Sequence, residues 1–326
     1  MITLQEAKVG MVNKIDQAVV DEFRRGSFLL DKMTFDDCIS PGTGGSNLVY
    51  GYQRIITPAA VDFRAINTEY TAQEAKREDK TAKLSIFGGK FSLDRVIIQT
   101  SNKKNDELRF QLQEKIKAAV NHFHYFVING DVAVQSNGFD GLNKALKSSS
   151  TEVNGNSVID ISTQANINDN GLAFIELLDS LLSELDGKPD MLLVNGKLKV
   201  KINSVARKYG YYTRAEDAFG KPVDGFAGVP LVDVGYYVNG GSTVPAIKIE
   251  DRNVGGSQTG LTDIYAVRLG LDAFHGASVN GDKMIRTYLP DLSAPGAVKS
   301  GEVEFLATPV LKSTRGAGVL RNIKIK

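Results

Sequence analysis

An α+β fold is what this chain predicts, on three observations: one long amphipathic helix in its first half, a helix, strand and helix in succession near its middle, and a carboxyl half of short β segments. Its 326 residues, 42% hydrophobic and 24% charged, suffice for one large or two medium folding units. Glycine is frequent, at 32 residues, which fits many turns between short strands.

The elements follow in chain order. Between Leu4 and Leu30 the apolar residues Val9, Val12, Ile15, Val19, Phe23, Leu29 and Leu30 fall at helix-like intervals, broken by Gly10 and Gly26. A short amphipathic arm ahead of any compact unit must bury its stripe against the main body or against a neighbouring copy. The Gly-rich passage 41–46 lacks the Lys-Ser/Thr ending of a phosphate loop and reads as a hinge before a β-prone run over 48–56. Charged residues dominate from Glu69 to Lys80. Ala82, Leu84 and Ile86 then alternate with polar neighbours up to Gly88-Gly89, and a second run covers 91–99. This pattern predicts a long two-stranded excursion with a charged tip. An isolated ribbon is marginally stable in water, so it must find cover, either on its own domain or on a neighbour.

Leu108, Leu112, Ile116, Ala119, Phe123 and Val127 share a stripe with Glu114, Lys115 and Lys117 off it. They predict the longest helix, capped by Asn105 or Asp106 and ended at Ile128-Asn129-Gly130-Asp131 by turn or left-handed geometry. Phe174, Leu177, Leu178, Leu181, Leu182 and Leu185 predict a second helix, with caps sought among residues 168–170 and a stop at Gly187 before Pro189. A buried strand is expected over 191–194, ended by Asn195-Gly196, and a third helix over 198–208. Further strands are expected over 229–234, 244–249, 264–269, 284–289, 303–311 and 319–325. No repeat of fixed period is present.

The chemistry-bearing residues are few. Histidine is limited to His122, His124 and His275, and no Gly-x-Ser-x-Gly elbow accompanies them, so the sequence is poor in candidate bases for a hydrolase. His122 and His124, two apart on the predicted helix, point to different faces and do not make a metal pair. No catalytic, cofactor or metal site is expected. Cys38, the single cysteine, has no internal partner and is expected as a half-buried thiol. Lys and Arg total 39 against 38 Asp and Glu, a net charge of +1, which disfavours sequence-specific DNA binding. The opening Met1-Ile2-Thr3-Leu4-Gln5-Glu6 has no basic stretch leading into an apolar run, and no window approaches bilayer length. The expectation is a soluble protein made in the cytoplasm, with no membrane partner.

Several passages resemble the major capsid proteins of tailed bacteriophages. Phe23-Arg24-Arg25-Gly26-Ser27-Phe28-Leu29-Leu30-Asp31-Lys32-Met33 is similar to that family's passage from arm to body. Val127-Ile128-Asn129-Gly130-Asp131, leading on to Asn137-Gly138-Phe139-Asp140-Gly141-Leu142, is similar to the end of its spine helix and the loop that closes on Gly-Leu. Asp190-Met191-Leu192-Leu193-Val194-Asn195 and Phe226-Ala227-Gly228-Val229-Pro230-Leu231-Val232 look like its helix–strand unit and Gly-Val-Pro-Leu strand. Thr262 to Gly270 and Gly301 to Phe305 match its late strands. In this order they cover essentially the whole chain.

The resemblance implies the Hong Kong 97 capsid fold: an N-terminal arm (1–46), an extended β-hairpin loop (47–99), a peripheral domain with the long spine helix (100–188), an axial domain (189–292) and strands returning to the peripheral domain (293–326). It implies a subunit that is no enzyme and assembles with itself, as hexamers and pentamers, into an icosahedral shell. Scaffolding protein and portal are the implied partners, and packaged double-stranded DNA would be met nonspecifically through its phosphates. Assembly in the host cytoplasm and a final place in the virion capsid go with it. Some relatives begin with a long charged scaffolding segment; this chain starts almost at the arm, which implies a separate scaffold or a trimmed form. Contacts between subunits are expected at Val19, Phe23, Leu29 and Leu30 of the arm and at Tyr50, Tyr52, Leu84, Ile86 and Phe91 of the hairpin. A few relatives join a hairpin lysine to a distant Asn by an isopeptide bond, and Lys76, Lys80 and Lys83 are the lysines so placed here. Two other readings stay open: an encapsulin-type compartment shell with a protein cargo, and a carbohydrate-active or carbohydrate-binding α+β protein, which would need a concave cluster of carboxylates and aromatics.

Overall fold

The computed structural model describes residues 28–38, 48–95, 104–216, 222–239, 242–279 and 285–326. Helix α1 (Phe28–Lys32) and strand β1 (Phe35–Asp37) enter the body; a ribbon of β2 (Val49–Thr57) and β3 (Lys76–Lys83) follows, then β4 (Ser85–Asp94). The Gly-rich hinge and residues 96–99 of the second β run lie outside the described residues.

Gly88-Gly89, which in the sequence separates two runs, does not interrupt the strand. β4 runs straight through it and pairs antiparallel with a late strand from Ser85↔Ala307 to Asp94↔Val298. The strands approach so closely that a Cβ on Gly88 would sit 1.9 Å from the Val303 carbonyl oxygen. Glycine here permits close pairing, which a glycine pair in sequence does not distinguish from a bend.

Helix α2 (Lys104–Asn129) has 26 residues, about 39 Å at the α-helical rise. Leu112, Ile116, Ala119, Phe123 and Val127 form its buried face, as the periodicity predicts. The helix begins at Lys104, and the side chains of Asn105 and Asp106, the expected caps, lie outside what is described. The stop at Asn129-Gly130 comes where expected, but Gly130 does not need a positive φ. A Cβ there would lie 2.3 Å from the Phe139 carbonyl oxygen, because the returning loop crosses it and Gly141 N donates to Gly130 O at 2.8 Å.

After α3 (Leu142–Ala145), β5 (Glu152–Val153) and β6 (Ile159–Asp160) comes α4 (Gln164–Ser183). It starts earlier than residues 168–170 because Thr163 Oγ1 accepts from Asn166 N at 3.1 Å. β7 (Met191–Val194) leads into α5 (Gly196–Tyr209), capped by Asn195 Oδ1, which accepts from Leu198 N at 2.9 Å, and closed by Gly210 at φ +80°. The remainder is β8 (Tyr212–Glu216), β9 (Pro222–Phe226), β10 (Val229–Asp233), β11 (Tyr236–Asn239), β12 (Ser242–Pro245), β13 (Glu250–Asn253), β14 (Ser257–Val267), β15 (Phe274–Ser278), β16 (Ile285–Tyr288), β17 (Val298–Leu311) and β18 (Ala317–Lys324). The strand expected over 244–249 ends at Pro245. β8, β9, β11, β13 and β15 carry no alternation that the sequence reading used.

Among the described residues one sheet has nine strands in the order β5-β18-β14-β7-β10-β9-β8, with β13 beside β14 and β6 beside β18. Met191, Leu193, Tyr265 and Val267 project from it into the core shared with α2, whereas Leu192, Val194, Ile264 and Ala266 project into the core under α4 and α5. Burial on both faces explains why β7 reads as an unbroken apolar run. The second sheet, β1-β15-β17-β16 with β4 along β17, lays Phe274, Val303, Phe305 and Ala307 on the α2 side. These sheets cut across the boundaries at 188/189 and 292/293. β15 and β16 pair with β17, while β18 sits between β14 and β5 in the larger sheet.

Candidate assembly surfaces

The β2–β3 ribbon is the feature that stands away from the body. Its register runs from Val49↔Lys83 at the root to Thr57↔Lys76 near the tip, an eight-residue strand of about 26 Å on the β3 side. Alternation along β2 turns Tyr50, Tyr52 and Arg54 toward the body, and each holds the root down. Tyr50 Oη donates to Asp36 Oδ2 at 2.5 Å, and Tyr52 Oη donates to Leu311 O at 3.3 Å. Arg54 donates from Nε to Lys312 O at 2.8 Å and from Nη2 to Leu311 O at 2.6 Å. Burial by itself would raise the Asp36 carboxyl, but the Tyr50 hydroxyl, the Asp37 amide and Lys312 together hold it below the usual carboxylate value. Cys38 beside it is half-buried, and burial followed by the charges of Asp37 and Asp36 pushes its thiol up to about 11.

Beyond Arg54 the body gives no cover. The tip, residues 58–75, is exposed throughout, with Val61 at 99%, Phe63 at 102% and Ile66 at 89% relative exposure. Arg64 lies over the Tyr70 ring at 5.3 Å, and Ala65 O accepts from Thr68 N at 3.3 Å, which shapes the turn. The tip is thus apolar with a few charges; the dense charge expected there sits on β3 instead. Soluble chains rarely present such side chains together unless something covers them.

The expected contact residues divide three ways. Val19 and Phe23 lie outside the described residues. Leu29, Leu30 and Phe91 belong to the core around Leu112 and Ile116, and Tyr50 and Leu84 to a small cluster with Ala277 and Val310 at the ribbon root. These five are covered by their own chain, because α1 folds back on α2 and β4 joins β17, so their side chains offer a neighbour no free surface. Tyr52 is half-buried, and of the seven described residues Ile86 alone is largely open, at 59%. The sequence reading passed over Val61, Phe63, Ile66 and Tyr70. Four large apolar residues within ten positions, in a stretch to which the reading assigned no element, were the available signal.

Of the lysines singled out, Lys76 stands exposed opposite Thr57 at the tip end of β3. Lys80 shares the body-facing side with Tyr52 and pairs with Glu78 at 2.7 Å; Lys83 is exposed on the other side, opposite Val49. Their alternating sides mean that no single partner surface meets Lys80 and Lys83 together.

A groove of about 660 Å³ opens on the body between β4 and α2. Its floor is Ala119, His122 and Phe126, its rim Ile86, Val134 and Val238, exposed by 59%, 83% and 60%, and Lys115 stands at one side. His122 stacks on Phe87 and meets Phe126 at a tilt, with centroids 5.4 and 4.4 Å away, and burial lowers its pKa. His124 faces the opposite way into the core, where burial outweighs its bond to the Val234 backbone and brings its pKa to about 4. No three His, Cys, Asp or Glu side chains converge as a metal site among the described residues. No helix among them is long and apolar enough to cross a membrane.

No family model and no curated protein matches the chain. Solved structures do. A holo-SrpI encapsulin from Synechococcus elongatus superposes with a TM-score of 0.62 at 14% identity, over 92% of this chain and 88% of that one. The capsid of a native GTA particle gives 0.53 at 12%, over 90% and 89%, and the capsid of the Myoviridae phage XM1 gives 0.52 at 11%, over 90% and 90%. The chain has the Hong Kong 97 fold. The likeness runs over about nine-tenths of this chain and of each of those chains, so it is one of whole fold and not of a single shared core.

Proposed function

We propose that this chain is the major capsid protein of a tailed bacteriophage, a structural subunit whose copies close as hexamers and pentamers into an icosahedral shell around double-stranded DNA. The observation that carries this reading is the apolar ribbon tip, held out from a body of shell-protein fold by a bonded root. Its own β3 carries the tip about 26 Å from the groove wall that β4 begins, so a stiff ribbon does not fold back to fill it. A neighbour's tip does. The segment 58–75 holds Asp62, Glu69 and Glu74 against a single Arg64, a charge pattern that suits Lys115 at the groove.

Covering Val61, Phe63 and Ile66 is worth about 1.5–3 kcal/mol each before the cost of association, so one contact is weak and the closed shell is stable by number. Scaffolding protein and portal are proposed as helpers. DNA is met through scattered Lys and Arg, weakly per subunit given the net charge of +1.

The test is electron microscopy of the purified protein, with a scaffold protein if needed. Closed shells are expected, and a chain that stays monomeric under all conditions counts against the reading. The superposition on an encapsulin favours a second reading, a compartment shell. Shells that hold nuclease-protected DNA support the phage reading; shells that hold a protein cargo and no DNA support the compartment.

A further inference from the structure

The ribbon root rests on Tyr50, Leu84, Ala277 and Val310, with Cys38, Tyr52 and Ala82 at the margin of that cluster. His275 of β15 lies against it, fully buried, and neither ring nitrogen has a hydrogen-bonding partner. Its ring meets the Tyr50 ring edge-on with centroids 5.6 Å apart. Tyr50 is in turn bonded to Asp36, and Lys312 Nζ lies 4.0 Å from that carboxylate oxygen and 5.2 Å from the centre of the Tyr50 ring. A neutral imidazole can stay packed in such a place. An imidazolium there would be a charge cut off from water, and burial outweighs what the Ala273 backbone, Asp36 and Asp272 offer it, so it is driven out.

We infer that His275 is an acid-released pin for the ribbon: once its ring takes a proton it quits the root cluster, Tyr50 loses the surface it packs on, and the ribbon is free to change its angle to the body. The charged and titratable groups around the ring come from every side: Asp36 on β1, Tyr50 on β2, Lys312 just past β17 and Asp272 ahead of β15. Burial is the main reason the ring stays neutral in place and Lys312 adds to it, while Asp36, Asp272 and the Ala273 backbone oppose; the pKa falls from 6.5 to about 4. The direction follows. A closed root keeps the ring neutral and an opened root lets it protonate near 6.5, so opening is unaffected above pH 6.5 and grows easier as pH falls from there toward 4. Asp36, held below 3.8, remains an anion throughout that window.

The consequence for a shell rests on the ribbon being the contact limb, but the pin is tested on the unassembled full chain, so failure to form shells leaves the test intact. With three histidines in the chain, imidazole-labelled NMR resolves the titration, and His275→Gln assigns the signal. The expected result is a His275 midpoint well below 6.5. Amide exchange of residues 49–57, corrected for its intrinsic pH dependence, should quicken by about tenfold or more between pH 6.5 and 4.5. His275→Phe, which fills the space without titrating, should keep its protection, with His275→Gln as the second variant should Phe fail to fold. Two results overturn the inference: protection of 49–57 that ignores pH in the native chain, or the same acid loss in both variants, which would assign the response to other groups.

Discussion

At the scale of single residues, buried charge and close approach decide what this chain tolerates. Asp263, only 2% exposed, takes a bidentate pair from Arg252 at 2.6 and 2.9 Å, and Arg321 reaches the same carboxylate while bonding Glu152 and Asn143. The Asp263 bond holds Arg252 firmly protonated despite its burial. Asp263→Asn takes the shared carboxylate from two guanidiniums, leaving Arg252 with Glu250 and Arg321 with Glu152, and we expect it to cost about 1.5–3 kcal/mol in urea unfolding. Gly88→Ala forces β4 off Val303 and should cost about 1–3 kcal/mol. The Cys38 thiol, pushed up to about 11, should react with a disulfide reagent at neutral pH far more slowly than free cysteine and quicken as pH rises toward that value.

The ribbon is the element on which function is proposed to turn. Val61 and Phe63 touch nothing in their own chain, so Val61→Asp with Phe63→Asp should leave urea unfolding within about 0.5 kcal/mol of the native chain. Shells should fail to form. Retained assembly of this double variant, seen by electron microscopy, would remove the tip from the account of how copies join. The root behaves differently, since Arg54→Ala removes two bonds to backbone carbonyls of the β17 end. Exchange of 49–57 should speed up while the rest of the fold holds.

For the whole molecule, acid acts first through buried imidazoles. His124 and His275 are both held neutral, at about 4, chiefly by burial, so each contributes stability that is complete above 6.5 and is lost as pH falls through 6.5 toward 4, by up to about 3 kcal/mol each. Carboxylates held low, Asp36, Asp160 and Asp224 among them, act only below 3.8. Unfolding measured across pH 4 to 8 should therefore weaken in the upper window before those three carboxylates respond. The two cores share the nine-stranded sheet as a common wall, so a single transition is expected, not two.

The long helix, the middle helix–strand–helix and the α+β class were legible in the residues alone, because a helix that buries one stripe writes that stripe into its sequence, as Leu112 to Val127 do. β7 was legible for a related reason: burial on both faces leaves an unbroken apolar run. What only the tertiary structure decided depends on partners far away in the chain. Whether Gly88-Gly89 turned or passed beneath Val303, whether Leu84 and Phe91 stayed free or were covered by β15 and β17, and whether His275 lay at the surface or under Tyr50 are properties of contacts some 200 residues apart. Local pattern records which face of an element is apolar. It does not record which distant surface closes over that face, nor that the apolar residues at the ribbon tip are left with none.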